Sequence, residues 1–277
     1  MTSAPAISVC IPAFNEAEFI RDAVYSVVKQ TCQDWELVIV GNCLSQKATK
    51  GIELLQLELN DPRIRVLCNH DRMPMAENWN AAVCQARGRF LKLLCHDDVL
   101  LDHCLEQQST SLKEHPSATV AAGARTIMNA RGCALFTRSG IRRTGLYNGR
   151  EIIRRCLLAG TNIVGDPVCV MWRRTDMEMP CLFDPSVLYC TDVEMWLRML
   201  GGGNLYYDTR PVGCYRIHGK AAAVGLAGVT VRDFLHMAEL QEKRGTVSLS
   251  FAERWIIAIK SRVKSLGRQA VYTILGG

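Results

Sequence analysis

No C-x-x-C pair occurs in the 277 residues, and no G-x-G-x-x-G follows a strand and opens a helix. The first absence matters because 13 cysteines would otherwise invite a disulfide framework or a structural zinc site. Their number is odd, they are dispersed, and Cys10, Cys84, Cys156 and Cys169 sit in apolar surroundings. They read as small buried hydrophobes in a reducing compartment, so a cytoplasmic location is expected. The second absence argues against a dinucleotide fingerprint, and Gly201-Gly202-Gly203 reads as a flexible turn after a helix. Long apolar runs are also missing. The longest uncharged stretch is Met1–Asn15, interrupted by Pro5 and Pro12, whereas a spanning helix needs about 20 apolar residues. No basic segment precedes an apolar one, so neither a membrane span nor a secretory leader is expected. Repeats and low-complexity tracts are absent, and 48% hydrophobic with 22% charged residues is ordinary for a globular chain. The net charge is +6. Basic residues are balanced by acidic ones over most of the chain and no binding motif occurs, so no nucleic-acid partner is expected.

What is present is alternation. Ile7–Ala13 is a short apolar run, and Glu16–Gln30 places Phe19, Ile20, Ala23, Val24, Val27 and Val28 on one helical face. Strands are expected again at Glu36–Val40, Ile64–Cys68 and Phe90–Leu94, with helices at Ile52–Leu59 and Ala76–Ala86. Four such units with apolar strands predict an α/β fold, a mostly parallel Rossmann-like central sheet with helices on both faces. Ligands of such sheets bind beyond the carboxyl ends of the strands, which points to the loops after Ala13, Val40 and Leu94. Beyond about His115 the expected elements are a strand at Thr119–Ala122, hairpin or irregular chain over Ile127–Leu146, and a helix at Arg150–Leu158. A strand at Val168–Met171, a helix at Val193–Leu200 and two short strands at Leu205–Tyr207 and Val212–Ile217 follow. One continuous domain is expected over residues 1–220, in halves 1–115 and 116–220, with a helical tail over 221–277.

The strongest polar feature is Cys95-His96-Asp97-Asp98, directly after the fourth expected strand. Adjacent carboxylates at a sheet's carboxyl edge can hold a divalent cation beside substrate phosphates. Equally, one of them can cap the helix expected near Asp102–His115. Asp192 and Glu194 open a later helix, where two residues of separation turn them about 200° apart. Only one can face a cleft squarely, and either can instead complement the helix dipole. His218 ends a strand, with a plain surface histidine as the alternative. Arg216 precedes it by two residues on the same strand. Phe14 is either a stacking aromatic or a core residue at a strand end.

Taken in order, ISVCIPAFNE at Ile7–Glu16, AVYSVVKQT at Ala23–Thr31, WELVIV at Trp35–Val40, NWN at Asn78–Asn80, Gly88 and LLCHDDVL at Leu93–Leu100 resemble the start of a family 2 glycosyltransferase. FDPSVLYCTDVEMWLRML at Phe183–Leu200 and YRIHG at Tyr215–Gly219 resemble the family's acceptor-side segments. The resemblance spans about Ile7 to Gly219. It implies a GT-A fold, a nucleotide-sugar donor, a Mn²⁺ or Mg²⁺ ion, and inversion at the anomeric carbon. The acceptor it implies is a saccharide or lipid-linked saccharide in cell-surface polysaccharide or glycolipid synthesis. By resemblance Pro12, Phe14, Asn15, Glu16, Asn42 and Asp97 serve the donor, Asp98 and His218 the metal, and Asp192 is the catalytic base. The 1–115 half then binds the nucleotide-sugar and the 116–220 half the acceptor. Two departures stand out. Cys95 occupies the first position of the usual Asp-x-Asp-Asp, and Gly41-Asn42-Cys43-Leu44 replaces the usual two aspartates followed by Gly-Ser. Asn42 keeps a carbonyl acceptor, adds an NH₂ donor and loses the charge, which leaves the base selectivity open, with a UDP-sugar as the preference.

Two other functions compete. A sugar nucleotidyltransferase needs a Gly-rich basic loop after the first strand, and Pro12–Glu16 supplies neither glycine nor cation. A catalytically silent nucleotide-sugar-binding or scaffold protein is motivated by the missing acidic pair at Gly41-Asn42 and opposed by Asp97, Asp98, Asp192 and His218. The tail carries its own signal. Phe251–Gly277 has five basic residues against Glu253 alone, so +4 of the net +6 lies there. Phe251, Trp255, Ile256, Ile259, Val263 and Leu266 share one broad helical face. Arg254, Lys260, Lys264 and Arg268 lie off it, although Arg262 and Ile257 break the pattern. Such a helix suits an anionic membrane surface, so peripheral attachment to the inner face of the plasma membrane is one expectation. A helix packed on the domain or on another subunit is the other.

Overall fold

The computed structural model describes residues 4–15, 17–69, 71–174, 183–219 and 229–275. Strands β1 (Ile7–Phe14), β2 (Trp35–Asn42), β3 (Ile64–Asn69) and β4 (Phe90–Leu93) lie parallel in the order β3-β2-β1-β4. β1 and β2 are buried from end to end apart from Phe14, as central strands covered on both faces must be. β3, at the edge, buries only Ile64. The later strands are β5 (Val99–Leu100), β6 (Ala118–Met128), β7 (Ala134–Arg138), β8 (Gly145–Tyr147), β9 (Val170–Arg173) and β10 (Asn204–Arg216). They extend the same sheet in the order β4-β9-β6-β10-β5, with β7 on β6 and β8 on β10. β9 runs antiparallel to both neighbours, so the whole sheet is mixed while its first wing is parallel.

The helices are α1 (Ile20–Val28), α2 (Gln46–Leu59), α3 (Met75–Cys84), α4 (Cys104–Glu114), α5 (Gly149–Ala159), α6 (Thr191–Leu200), α7 (Thr230–Lys243) and α8 (Phe251–Leu275). α1 starts later than its periodicity predicts, because Asn15 and Ala17 take positive φ of 54° and 44° and turn the chain first. α2 starts earlier. Ser45 accepts from the Ala48 N–H at 3.2 Å, and only Ala48, Ile52 and Leu55 are buried, so its polar first turn carries no apolar signal. The Ile127–Leu146 region resolves into the β6–β7 hairpin followed by β8. The two short strands expected over residues 205–217 are one strand, β10, with register shifts at Asp208/Pro211 and Pro211/Gly213. Pro211 interrupts the sequence pattern, and the bulges absorb it.

Gly88 has a packing reason, since a Cβ there would lie 2.6 Å from the Ser8 nitrogen. Every described cysteine is free; Cys10, Cys156 and Cys169 are buried as expected, but Cys84 is exposed at the end of α3. The two halves are joined by an aromatic cluster. Phe183 packs edge-on to Trp79 at 5.0 Å and to Trp196 at 6.2 Å, and Trp172 lies 5.3 Å from Trp196. Lys92, fully buried in β4, donates to Gln108 Oε1 at 2.8 Å and to the Val168 carbonyl at 3.0 Å, so its charge is met inside the core.

Candidate active site

The carboxyl ends of β1, β2 and β4 open into a cleft of ≈ 570 Å³. Pro12 and Phe14 line it from β1, Asn42 from β2, and Cys95 and Asp97 from the turn after β4. Phe14 is 37% exposed, the Arg72 guanidinium sits 5.5 Å from its ring, and its free face suits stacking on a planar base. Asn15 holds the turn after β1, its carbonyl accepting from the Ser45 N–H at 3.2 Å, and it does not line the cleft. Glu16 lies outside the described residues. Asn42 is buried, and both ends of its amide are bonded. Its Nδ2 donates to the Met73 carbonyl and its Oδ1 accepts from the Met73 N–H, both at 2.9 Å. The amide therefore pins the loop before α3 like a strand partner, leaving Oδ1 one further lone pair. Asn78 Oδ1 is buried on the cleft wall and has no partner among the described residues.

Asp97 and Asp98 do not cap α4, which begins at Cys104 under His103. Asp98 is 1% exposed, and its Oδ1 accepts from the Arg216 N–H at 2.9 Å while Oδ2 has no partner among the described residues. Burial and the neighbouring Asp97 charge raise its pKa well above the ordinary carboxylate range. Burial also opposes ionisation of Asp97. The His218 hydrogen bond at 3.0 Å and the nearby His96 and His218 outweigh that and hold its pKa low. Cys95 Sγ and a carboxylate oxygen from each aspartate lie within 4.8 Å of one another. An orphaned buried carboxylate oxygen beside a second carboxylate fits a divalent cation. His218, assigned by resemblance to the metal, is placed as the partner of Asp97. Sharing a face with His218, as residues two apart on a strand do, Arg216 reaches the same acidic turn. Its Nε donates to the Asp97 carbonyl at 2.8 Å, Nη2 to Asp22 at 2.8 Å, and its guanidinium stacks on Phe19 at 4.3 Å.

A smaller pocket of ≈ 140 Å³ adjoins the cleft, sharing Met75, Trp79, Cys95 and Asp97 with it. Asp192, in the first turn of α6, lines this pocket and accepts from Asn162 Nδ2 at 3.1 Å. Burial, then the charge of Asp166, pushes its pKa up to about 7, so at neutral pH it can both take and release a proton. Glu194 turns away, fully buried between Arg244 at 2.9 Å and Arg198 at 3.3 Å. Asp233 of α7 makes the turn possible. Its Oδ2 accepts from the Tyr189 and Cys190 N–H groups at 2.7 and 3.0 Å, capping α6, whose own N-cap residue supplies no side chain. Asn162, Asp166, Asp233 and Arg268 carry this site, and sequence reasoning did not find them. Asp166-Pro167 after a glycine was the available signal for one of them; the others reach the pocket only through the fold.

The Glycosyl transferase family 2 matches residues 8–177. A glucosyltransferase of Escherichia coli, "UDP-Glc:alpha-D-GlcNAc-diphosphoundecaprenol beta-1,3-glucosyltransferase WfgD", is 33% identical over 112 residues, 40% of this chain and 43% of its own. Other relatives are named for biosynthesis of teichuronic acid in Bacillus subtilis and colanic acid in Escherichia coli. The chain spans 62%, 44% and 13% of the length of three curated relatives it matches. Among solved structures, S. aureus TarS 1-349 in complex with UDP superposes with a TM-score of 0.64 at 16% identity, over 97% of this chain and 74% of that one. The mannosyltransferase PcManGT from Pyrobaculum calidifontis, in complex with GDP-Man and Mn²⁺, gives 0.61 at 13% identity, over 99% and 75%. At such identities the likeness speaks for the fold, that of the GT-A glycosyltransferases.

Proposed function

The chain belongs to the glycosyl transferase family 2, and from that premise we propose that it moves a sugar from a nucleotide-diphosphate donor to an acceptor hydroxyl with inversion. The preferred donor is a UDP-sugar, and the acceptor a saccharide or lipid-linked saccharide of a cell-surface polysaccharide or glycolipid. The observation that carries this reading is the placement of the Asp97–Asp98 pair between two connected spaces. One, with Phe14 and Asn42, suits a base and ribose, and the other holds Asp192. Asp192 takes the proton of the acceptor hydroxyl as its oxygen bonds to the anomeric carbon. The bond from that carbon to the diphosphate oxygen breaks, and the nucleoside diphosphate leaves with the electron pair. Asp98 and Asp97 would hold a divalent cation, which would supply charge stabilisation for the departing diphosphate. Arg216 and His218 keep the two carboxylates in place, and Asn162 orients Asp192.

Among the described residues no helix is long and apolar enough to cross a membrane. Attachment at the cytoplasmic face through α8 is part of the proposal, supported by the exposed side chains of Trp255, Ile259, Val263 and Leu266. The test of the donor reading is a thermal-shift titration of UDP with and without Mn²⁺, because a ligand that binds the native state raises its melting temperature. The wild type is expected to respond to UDP more strongly with Mn²⁺. Asp98→Asn keeps an acceptor for the Arg216 N–H and removes the charge, so it should fold normally and lose the Mn²⁺ increment. An equal UDP response in Asp98→Asn, with and without the ion, would remove Asp98 from the metal site.

A further inference from the structure

A third space continues from the Asp192 pocket. It measures ≈ 400 Å³ and shares Asn162, Asp166, Tyr189, Tyr215 and Arg268 with that pocket, so the two form one passage. Its outer wall is α8, through Val263, Lys264, Gly267, Arg268 and Val271. Four cations border it, Arg125, Arg138, Lys264 and Arg268, against the single carboxylate of Asp166. Asp166 is already taken by Arg125 at 2.7 Å, and Arg268 donates to the Tyr189 hydroxyl at 2.8 Å. The side chains of Arg138 and Lys264 make no hydrogen bond or ion pair among the described residues. Cations gathered this closely favour an anion between them.

The helix that forms the wall is bare on its apolar side. α8 packs on α5 and α7 through Ile257, Ser261 and Ser265, at spacings of four. Gly160, at the end of α5, has no room for a side chain because a Cβ would lie 2.4 Å from the Ser261 nitrogen. Trp255, Ile259 and Leu266 fall on the opposite flank, 58%, 58% and 60% exposed. Val263 and Val271 sit on the edge between that flank and the chamber, so the anion-favouring space opens beside an apolar strip. An occupant that satisfies both features is an anion carrying a hydrocarbon chain.

We propose that this chamber holds the phosphate or diphosphate of a lipid-linked acceptor. Its sugar extends past Asn162 and Asp166 to Asp192, and its chain leaves along α8 into the bilayer. The inference rests on the transferase reading and adds the acceptor's chemical class and binding place. A bulk anionic headgroup offers the same phosphate chemistry, and the test separates the two sources. Binding is measured by co-sedimentation with phosphatidylcholine vesicles carrying either a polyprenyl phosphate or phosphatidylglycerol at matched surface charge. The wild type is expected to bind the polyprenyl phosphate vesicles more tightly. Arg138→Gln with Lys264→Gln should lose on the order of tenfold of that binding. Lys260→Gln with Arg262→Gln removes the same charge from exposed α8 positions outside the chamber and should lose less. All four side chains are exposed, so folding is preserved. Equal binding to both vesicles, or equal loss in the two double variants, would overturn the chamber and leave only a charged surface. UDP thermal shifts are run on the same samples. An intact UDP response without polyprenyl phosphate preference sinks this inference alone, whereas loss of the UDP response in the wild type sinks the donor reading as well.

Discussion

At the scale of single residues, environment rather than identity sets the chemistry. Asp192 and Glu194 are both carboxylates in one helical turn, yet one faces a pocket beside Asp166 and the other is locked between two arginines. Asp192→Asn is expected to lose about 10²–10⁴ in turnover, the usual share of a general base, with the UDP thermal shift intact. Because the base must be ionised, wild-type turnover should climb with pH and level off above about 7. The same raised pKa has a stability consequence. The folded protein holds this proton more tightly than the unfolded chain, so the contribution of Asp192 is fully favourable below its unfolded value. It is lost as pH rises through about 7. Asp192→Asn should therefore melt higher than the wild type at alkaline pH, with the gap closing toward pH 4; a gap that does not change with pH would remove the titration from the account. Asn42 has a mechanical task beside the donor role proposed for it. Asn42→Asp keeps the bond from the Met73 N–H and sets a carboxylate against the Met73 carbonyl. A cost of about 1–3 kcal/mol is expected, read as a drop of about 2–4 °C in melting temperature per kcal/mol. An unchanged melting temperature would mean that the loop is not held by this residue.

At the scale of elements, the site depends on contacts between segments far apart in the chain. α6 presents Asp192 only because Asp233, 43 residues away from Cys190, caps its first turn. Asp233→Ala removes an acceptor for two N–H groups, one of them buried, and bonds to a charged acceptor contribute about 1.5–3 kcal/mol each. The variant should melt lower and lose turnover through misplacement of Asp192, while Asp233→Asn should recover part of both. Full activity in the alanine variant would show that α6 holds its start without the cap. The elements themselves were largely legible. Buried strands and amphipathic helices write periodicities into the sequence, and β1 to β4 were located within a few residues. α2 began earlier than read because its first turn is polar, and β10 was read as two strands because Pro211 interrupts it. Cap partners were not legible, since Asp233 lies in a stretch whose own pattern says nothing of α6.

At the scale of the whole molecule, α8 is both a packed helix and an exposed one. Its inward contacts are narrow and small, through Ile257, Ser261 and Ser265, and its broad apolar side faces out. The two expectations for the tail, packing and surface attachment, thus fall on different flanks of one helix. Deleting the helix would strip the cover from α5 and α7 and remove Arg268 from the pocket, so point substitution is the cleaner test. Ile259→Ser with Leu266→Ser, 58% and 60% exposed, should leave the melting temperature within about 1 °C, as surface changes usually do. The same pair should markedly reduce sedimentation with anionic vesicles, each lost side chain forfeiting about 1.5–3 kcal/mol of burial at most. Unreduced sedimentation would assign the bare flank to a different contact.

The sequence by itself determined the α/β class, the parallel first wing, the location of the acidic pair after β4 and the amphipathic character of the tail. Each of these is local, because periodicity, strand composition and adjacent charges act within one segment of chain. Only the tertiary structure decided that Arg216 and His218 hold Asp97 and Asp98, that Asn42 is tied to Met73, and that Asp192 rather than Glu194 faces the pocket. It also decided that the apolar flank of α8 is bare beside a cation-lined chamber. These depend on pairings across as many as 121 residues, and on burial that alters the charge state of a carboxyl. Neither has a signature in the composition or spacing of the residues concerned.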